Sequence, residues 1–522
     1  MNIASALYLF QILWAVPTLL RSRGALNVSQ FRVQSLPDSP TLTPSWAGRL
    51  PVPGTANGNG IFFWLLQAEN LVYNDNLIIW FNGGPGCSSL IGLITGNGPI
   101  SFSGNSTRLE RNPYSWSKLG HILYVDQPVG TGFSTASNPY PVQSNERITD
   151  DFVQWLHTFM TYFPHLQSKK IHLMGESYAG IYVPYFAQAL LDGSYPLSLN
   201  IQSMSLGDGS WGNAAAMSSV AMGTYMRSQA ELLEVPNDIL SAFSVADRTC
   251  GFKTVLQEAS IYPPMGKIHI EGNPESLNYR RLKCRDVNAE ILEGSCDINP
   301  NTTAEVETSI FNSSCYGSCA TFSTALDYMS TISEQGTGPA CYDVYDISHD
   351  CSTISPLPLL ASYFSRKDVQ SALHVSNSGD YSACNSDILA TILAAASPVP
   401  PEYLILPSLV TDHNVSLHLY NGELDMLINY IGTELSIQNM TWNGAQGFSK
   451  KPSQLFYADD ALPSLTKQTS SKSSTGKPAG TWAAERGVSY HLFNGAGHSV
   501  FATKQKEMFA FVRDVVVSEK TN

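Results

Sequence analysis

The chain has 522 residues, 43% of them hydrophobic and 14% charged, so it holds enough apolar material for a large core and is not a largely disordered chain. Its 30 Lys and Arg against 43 Asp and Glu give a formal charge of −13, which offers no broad cationic field to a phosphate backbone and argues against nucleic acid as a partner. The length fits either several domains or one large α/β enzyme with an inserted cap.

The N-terminal segment is apolar and predicts a cleaved signal peptide over residues 1–24. The run from Ala6 to Leu20 is too short, and too interrupted by Gln11 and Pro17, for a comfortable membrane span. No Lys or Arg precedes this run and two arginines follow it, which leaves a signal anchor as the alternative. Because no second apolar span follows, we expect no stable membrane association of the mature protein.

Sequons and cysteines also favour the secretory pathway, so we expect a secreted or vacuolar protein. Seven of the nine cysteines fall between Cys250 and Cys351, which is typical of a disulfide-stapled insertion in an oxidising compartment. A metal site is the weaker interpretation, because Cys315 and Cys319 have no second closely spaced Cys or His pair nearby. Six Asn-X-Ser/Thr sequons are candidate glycosylation sites: Asn27, Asn105, Asn301, Asn312, Asn414 and Asn439.

Strands alternate with helices through much of the chain. Apolar residues recur at helical spacing from Glu146 to Phe163 and predict an amphipathic crossover helix. The alternation breaks at residues 207–354, which hold most of the cysteines, so we expect a cap between two core parts, residues 25–206 and 355–522. Five apolar, β-rich runs predict buried strands of a mostly parallel sheet: Leu77 to Phe81, Ile122 to Val125, Ile171 to Met174, Leu417 to Tyr420 and Tyr490 to Phe493.

A serine in a strand-to-helix turn carries the sharpest chemical signal. The motif Gly175-Glu-Ser-Tyr-Ala-Gly180 directly follows the third predicted strand and precedes a helical stretch from Ile181 to Leu191. Such a turn lifts a serine hydroxyl clear of the backbone, and small flanking residues allow the tight packing that the turn requires. Ser177 is therefore a candidate nucleophile; an ordinary serine in a βα turn is the alternative.

A serine nucleophile needs a base to accept its proton and an acid to orient that base. In α/β-hydrolases these follow in the order Ser, Asp or Glu, His, each on a loop after a late strand. Asp425 follows the fourth predicted strand and His498, after Gly-Ala-Gly, follows the fifth. Glu423 lies only two residues from Asp425 and is the alternative acid.

Three longer blocks resemble signatures of the serine carboxypeptidase family. They are Trp80-Phe-Asn-Gly-Gly-Pro-Gly-Cys-Ser-Ser89, Asp126-Gln-Pro-Val-Gly-Thr-Gly-Phe-Ser134 and the Gly175 to Gly180 motif, and the resemblance extends from about Leu36 onward. It implies an α/β-hydrolase fold, with a central mostly parallel sheet and an inserted disulfide-rich cap, and it assigns the acid to Asp425.

The resemblance also implies substrate-binding groups. In the family, the backbone N–H groups at the positions of Gly84 and Tyr178 form the oxyanion hole. The positions of Asn82 and Glu176 bind the terminal carboxylate of a peptide, and Trp80 supports Asn82. A buried Glu repels a carboxylate when ionised and donates a hydrogen bond to it when protonated, so binding should strengthen toward acidic pH.

The resemblance further implies a disulfide between Cys87 and Cys384, whereas two positions depart from the family pattern. The family commonly has a Glu at the position of Gly96, where it shares a proton with the Glu at the position of Glu176. Because this chain lacks that Glu, Asn97 is considered as a substitute partner of Glu176. A Met that lines the pocket for the leaving residue is replaced by Ser499, which predicts a smaller and more polar wall.

The expected activity is that of a serine-type carboxypeptidase, which releases C-terminal residues from peptides and proteins through an acyl-enzyme. We expect no metal or organic cofactor, peptide or protein C-termini as the substrates, and a monomer or homodimer. One alternative is an acyltransferase that passes the same acyl-enzyme to an alcohol or amine. The other is a catalytically silent protective or binding protein on the same scaffold.

Overall fold

The computed structural model describes most of the chain after the predicted signal peptide. The signal peptide, Cys284, Cys296, Cys315 and Cys351 lie outside the described residues, as does the side chain of Asn312. None of the described helices is long and apolar enough to cross a bilayer. The described residues are 26–142, 144–270, 299–312, 318–349, 355–376, 378–394, 399–458 and 477–518.

An eleven-stranded sheet forms the centre, in the order β1-β2-β3-β7-β4-β8-β9-β10-β15-β14-β13. Strands β7, β4, β8, β9, β10 and β15 are parallel to one another, and antiparallel strands flank them on both sides. The strands are β1 Arg32–Val33, β2 Ser45–Pro51, β3 Gly60–Leu66, β4 Asn76–Phe81, β5 Ile100–Phe102, β6 Leu109–Arg111, β7 His121–Asp126, β8 Lys170–Glu176, β9 Asn200–Gly207, β10 Ser416–Gly422, β11 Thr441–Trp442, β12 Ala445–Gln446, β13 Gln454–Phe456, β14 Gly480–Glu485 and β15 Val488–Phe493.

The five predicted strands are confirmed as β4, β7, β8, β10 and β15, and they carry the parallel part of the sheet together with β9. Strand β9 was not predicted, because its buried face carries hydroxyl groups instead of a continuous apolar run. Ser203 and Ser205 are both buried there, and the Ser203 hydroxyl lies 2.8 Å from Nδ1 of His172 on β8. Buried hydroxyl groups, of which that of Ser203 is paired with His172, therefore hid this strand from the hydrophobic pattern.

Helices cover both faces of the sheet and fill the long connection between β9 and β10. The predicted crossover helix is confirmed as α2, whose N-cap Ser144 accepts a hydrogen bond from the Arg147 N–H. The described helices are α1 Leu90–Gly92, α2 Asn145–Tyr162, α3 Ala179–Leu191, α4 Ala221–Ser228, α5 Asn237–Thr249, α6 Phe252–Ala259, α7 Thr303–Asn312, α8 Thr321–Gln335, α9 Pro356–Ser365, α10 Lys367–Ala372, α11 Ser386–Ala394, α12 Ile405–Thr411, α13 Tyr430–Asn439, α14 Val500–Thr503 and α15 Gln505–Phe511.

The aromatic face of α2 packs into the main core, as its spacing predicts. Phe152 stacks on Phe186 of α3 with ring centroids 4.1 Å apart, and Phe159 meets Phe63 of β3 edge to face at 5.1 Å. Such pairs add about 0.5–1.5 kcal/mol each beyond the burial of their area. The helix thereby fixes the first half of the parallel sheet from one side.

The helices of the predicted cap share a core, which also includes Leu424 and Met426 of the loop after β10. Phe243 of α5 and Met329 of α8 belong to it, and a Cys250–Cys319 disulfide ties its two halves together. Helices α9 and α10 instead pack, through Phe364 and Val369, into a second core that includes Trp64 of β3 and Trp80 of β4. This difference supports a boundary near residue 354, although the division into domains stays a prediction.

The sequons differ in exposure. Asn27, Asn105, Asn301 and Asn414 are exposed, as glycan attachment requires. Asn439 is only 8% exposed, and its side-chain oxygen accepts a hydrogen bond from the Ile268 N–H at 2.9 Å. A glycan does not fit at that buried amide, so the expectation for Asn439 is corrected.

Candidate active site

The predicted catalytic residues follow three parallel strands at one edge of the sheet. Ser177 follows β8, Asp425 lies three residues beyond β10, and His498 lies five residues beyond β15. Asn82 follows β4, the direct neighbour of β8. Because the carboxyl ends of parallel strands meet at the same edge, residues far apart in sequence are brought together there.

The turn at Ser177 has the strained backbone of a nucleophile elbow. Ser177 has φ +60°, a left-handed conformation that is uncommon for residues other than Gly. Its N–H donates to the carbonyl of Gly207 at 3.0 Å, and its own carbonyl accepts from the N–H groups of Gly180 and Ser210 at 2.9 and 3.0 Å. These bonds hold the strained turn and leave the half-buried Ser177 side chain at the strand end.

His498 and Asp425 form a buried pair. Nδ1 of His498 lies 2.7 Å from Oδ2 of Asp425, and the two residues are 5% and 0% exposed. The other carboxylate oxygen, Oδ1, accepts the N–H groups of Leu427 and Ile428 at 2.9 and 3.2 Å. The side chain of Glu423, the alternative acid, accepts a hydrogen bond from the Gly495 N–H at 2.8 Å. It therefore stabilises the backbone of the loop that carries His498.

The second ring nitrogen of His498 is available for a proton. Nε2 is buried and has no hydrogen-bond partner in the described part of the chain, which means that it makes no hydrogen bond to the Ser177 hydroxyl. Nucleophile and base are often further apart before substrate binds than in the reacting complex. The Asp425–His498 contact is therefore present, whereas the contact between His498 and Ser177 stays a prediction.

Charges around His498 favour its protonated form. Burial lowers the pKa of His498, but the carboxylate of Asp425, followed by Glu176 and Asp343, raises it by more, so the pKa lies above its ordinary value. An imidazole held this way accepts a proton readily and is stabilised once it is charged.

A segment of the predicted cap covers His498, which sequence reasoning missed. The Tyr345 ring meets the His498 ring edge to face with centroids 5.1 Å apart, and its carbonyl accepts the His498 N–H at 2.7 Å. The Val344 carbonyl accepts the Met426 N–H at 3.1 Å, beside Asp425. Residues of the cap thus hold both loops of the catalytic pair.

One predicted oxyanion group, Gly84, lies in a tight double-glycine turn that packs against the turn carrying the other, Tyr178. A Cβ at Gly83 would lie 2.5 Å from the Tyr178 nitrogen and 2.8 Å from Cβ of Ser177, so only glycine allows this approach. Within the described residues, neither the Gly84 N–H nor the Tyr178 N–H donates a hydrogen bond. Two backbone donors beside the serine are thus available to a substrate oxygen.

The disulfide implied by the resemblance is present. Cys87 and Cys384 are joined by a disulfide, and the two residues also form an isolated antiparallel bridge. Backbone bonds on either side, from Ser88 N–H to the Ala383 carbonyl and from Asn385 N–H to the Gly86 carbonyl, extend the connection. The turn with the predicted oxyanion group is therefore fastened to the second half of the core.

The predicted carboxylate-binding residues form one hydrogen-bonded chain. Nε1 of Trp80 donates to Oδ1 of Asn82 at 2.8 Å, and Nδ2 of Asn82 donates to Oε1 of Glu176 at 2.7 Å. The Ser499 hydroxyl donates to both carboxylate oxygens of Glu176, at 3.3 and 3.1 Å. Burial raises the pKa of Glu176 to about 7, although His498, Ser499 and Asn82 act in the opposite direction.

The two departures from the family pattern are explained together. A Cβ at Gly96 would lie 2.0 Å from the Phe501 carbonyl oxygen, so no side chain fits there. The substitute suggested for it, Asn97, accepts from the Tyr124 hydroxyl at 3.0 Å and makes no hydrogen bond to Glu176, which corrects that suggestion. Ser499 hydrogen-bonds to Glu176 instead. Its position next to the predicted base His498 is the sequence feature that could have pointed to this role.

One group of described side chains brings three potential metal ligands together. An oxygen of Asp208, an oxygen of Asp425 and a ring nitrogen of His498 lie within 4.8 Å of one another. Because Asp425 and His498 are hydrogen-bonded to each other, we interpret these two residues as an acid–base pair, with Asp208 lying beside them. Asp208 was not singled out from the sequence, since a lone Asp in a Gly-rich loop carries no pattern.

Comparisons with known proteins agree with this geometry. A family model described as serine carboxypeptidase matches residues 38–518. The chain is 44% identical over 531 residues to a carboxypeptidase Y homolog of Arthroderma benhamiae, covering 99% of this chain and 100% of that protein. It is 28% identical to the pheromone-processing carboxypeptidase kex1 of Neosartorya fischeri, over 93% of this chain and 67% of that protein.

A solved structure is similar throughout. The crystal structure of Kex1(delta)p, a prohormone-processing carboxypeptidase from Saccharomyces cerevisiae, superposes with a TM-score of 0.64 at 21% identity. The match covers 94% of this chain and 95% of that chain. At this identity the similarity establishes the fold, which is the α/β-hydrolase fold expected from the sequence.

Proposed function

Because this chain belongs to the serine carboxypeptidase family and is a serine-type hydrolase of that class, we propose that Ser177, His498 and Asp425 are its catalytic triad. The observation that carries the proposal is the buried 2.7 Å bond between His498 and Asp425, which leaves Nε2 without a partner at the sheet edge that bears Ser177. The triad is recognised by such roles and geometry.

The first half of the reaction releases the C-terminal residue. Oγ of Ser177 attacks the carbonyl carbon of the last peptide bond while its proton passes to Nε2 of His498. The tetrahedral intermediate collapses, the C–N bond breaks, and His498 gives the proton to the leaving amine. Asp425 stabilises the charged imidazole throughout and keeps its own charge.

The second half regenerates the enzyme. Water attacks the acyl carbon on Ser177 and gives a proton to His498, which then returns it to the serine oxygen as the shortened peptide leaves. The N–H groups of Gly84 and Tyr178 stabilise the oxyanion in both halves. Removing one such donor from an oxyanion hole typically costs about 10²–10³-fold in kcat.

Glu176 and Asn82 select the substrate by its terminal carboxylate. Glu176 is 5% exposed and has a pKa of about 7, so in weak acid it carries a proton that it can donate to a carboxylate. Above that pH the ionised Glu176 repels the substrate. This preference for a free carboxylate makes the enzyme remove terminal residues instead of cutting within a chain.

The protons of Glu176 and His498 are linked. Neutral His498 with protonated Glu176 holds as many protons as charged His498 with ionised Glu176, so pH does not set the ratio of these two forms. A substrate carboxylate favours the first form, because it is repelled by ionised Glu176. Binding of the correct substrate therefore selects the form in which His498 can act as a base.

The test is to follow a panel of unmodified peptides by mass spectrometry. We expect loss of one C-terminal residue at a time, and no loss with the Ser177→Ala variant. Cleavage inside the peptides, or hydrolysis that persists in the variant, would contradict the proposal. Peptides ending in an amide serve as the matched substrate control and should be shortened more slowly in weak acid.

We also propose that the protein passes through the secretory pathway. The exposed sequons at Asn27, Asn105, Asn301 and Asn414 and the Cys87–Cys384 and Cys250–Cys319 disulfides support this route. Digestion with an N-glycosidase should lower the mass of the protein purified from its native source. A native protein without glycan would contradict this part of the proposal.

A further inference from the structure

Asp208 is a buried carboxyl group that the proposed reaction does not use. It directly follows β9, is 0% exposed, and has φ +42°. Its Oδ1 accepts the Gly422 N–H at 3.0 Å and the Asn421 side-chain N–H at 3.1 Å. These donors end β10, a few residues before Asp425, so Asp208 fixes the start of the loop that carries the catalytic acid.

Asp208 and Asp425 are too close and too buried for both to be charged. An oxygen of each lies within 4.8 Å of the other and of a His498 ring nitrogen, and both residues are 0% exposed. Like charges at this distance in a buried site disfavour double ionisation. Asp425 has the histidine and two backbone N–H groups as partners, so it holds the negative charge better.

Apart from the Asn421 and Gly422 donors and the imidazole of His498, the described groups around Asp208 give a negative charge on it no support. Its Oδ2 has no hydrogen-bond partner in the described part of the chain. The other titratable groups facing it are Glu176, Tyr420 and Tyr490, none of which can become positive. Burial, followed by Asp425, raises the pKa of Asp208 well above its ordinary value, in agreement with the geometry.

We propose that Asp208 is a positioning residue that works as a neutral carboxylic acid, orienting the Asp425 loop without adding a second negative charge beside the catalytic pair. This inference rests on the proposed function of the same site. An ionised Asp208 would hold His498 in its protonated form, which cannot act as a base. The neutral acid avoids this while its Oδ1 still accepts from Gly422 and Asn421.

The experiment compares Asp208→Asn and Asp208→Ala by the pH dependence of kcat/KM for a peptide. The amide is neutral and keeps the acceptor, so we expect kcat within about 3-fold of wild type and an acid limb moved by less than about 0.3 pH units. The Ala variant leaves the buried Gly422 N–H without its acceptor, and kcat should fall about 10–100-fold with KM little changed.

Two results would overturn the proposal. A shift of the acid limb of Asp208→Asn toward lower pH by about one unit would show that the native carboxyl is ionised. Wild-type kcat in Asp208→Ala would show that it does not position the loop. Asp247→Asn changes another buried Asp, in the predicted cap, and is the matched control. The acid limb of this variant should stay in place even if its melting temperature changes.

Folding and activity are separated in this design. Should Asp208→Ala not fold, the limb position in Asp208→Asn still decides the charge state. Wild-type protein that neither shortens peptides nor reacts with a fluorophosphonate would instead defeat the proposed function. The Asp208 variants test the role of Asp208 only if the wild-type protein is active.

Discussion

The catalytic pair Asp425–His498 and the recognition pair Asn82–Glu176 lie at the same edge of the sheet but treat a buried carboxyl group in opposite ways. Asp425 has a basic partner at 2.7 Å and two backbone donors, which stabilise a negative charge. The hydrogen-bond donors to Glu176 are the neutral groups of Asn82 and Ser499, and burial dominates its pKa although the charge of His498 lowers it. Both carboxyl groups are buried, so the difference between them comes from their hydrogen-bond partners. These partners suit Asp425 to stabilising a charged imidazole and Glu176 to donating a proton.

The largest effect should come from removing the charge of the catalytic pair. Asp425→Asn keeps the size of the side chain but leaves no carboxylate to stabilise the imidazolium or to select its tautomer. We expect kcat to fall roughly 10⁴-fold with little change in KM. Glu423→Gln is the matched control on the same loop and should lose far less. Equal losses in the two variants would contradict the assignment of Asp425.

A second prediction concerns the recognition pair. Glu176→Gln stays neutral at every pH and keeps an oxygen for the Asn82 amide. Because Glu176 has a pKa of about 7, wild-type kcat/KM should fall roughly 30-fold between about pH 5.5 and 8.5 through this group. The variant should show no such fall, so that it overtakes wild type in alkali. An unchanged alkaline limb in Glu176→Gln would place that titration elsewhere.

The substrate itself gives a third comparison. A peptide with a C-terminal amide carries no charge for Glu176 to repel, so its hydrolysis should follow His498 alone. The ratio of kcat/KM for the free acid to that for the amide should therefore fall tenfold per pH unit above about 7. Steady-state rates with both substrates measure this ratio directly. A ratio constant from weak acid to alkali would separate Glu176 from carboxylate recognition.

The smallest effect should come from Ser499. Ser499→Ala removes a hydrogen bond that favours ionised Glu176, whose pKa should therefore rise and move the alkaline limb to higher pH. At acidic pH we expect kcat/KM within about 3-fold of wild type. Ser499→Thr, which keeps the hydroxyl, should leave the limb in place. Movement of the limb toward lower pH in Ser499→Ala would contradict this role.

The sequence predicted those parts of the molecule in which a local pattern has one structural outcome. Continuous apolar runs identified β4, β7, β8, β10 and β15, and motif order placed Ser177, Asp425 and His498 after the right strands. Strand β9 was not predicted because Ser203 and Ser205 are buried where the pattern expects apolar residues. The family resemblance assigns the acid to Asp425 instead of Glu423, and in the structure Asp425 is the one of the two that hydrogen-bonds to His498. Its role as the catalytic acid stays a prediction.

Contacts between distant segments could not be predicted in this way. Tyr345 reaches His498 from a cap that breaks the strand and helix alternation, and nothing in its own neighbourhood marks it. The suggestion of Asn97 as the partner of Glu176 was wrong because its side chain turns to Tyr124. Such pairings depend on how loops cross above the sheet, which spacing along the chain does not record.

The most direct test of the catalytic assignment is to map the adduct of a fluorophosphonate by mass spectrometry. The serine oxygen displaces fluoride only if a nearby base accepts its proton, so the label reports Ser177 and His498 together. We expect one adduct, on Ser177, and a labelling rate that falls steeply in His498→Ala. A protein that stays unlabelled, or an adduct on another residue, would contradict the catalytic assignment.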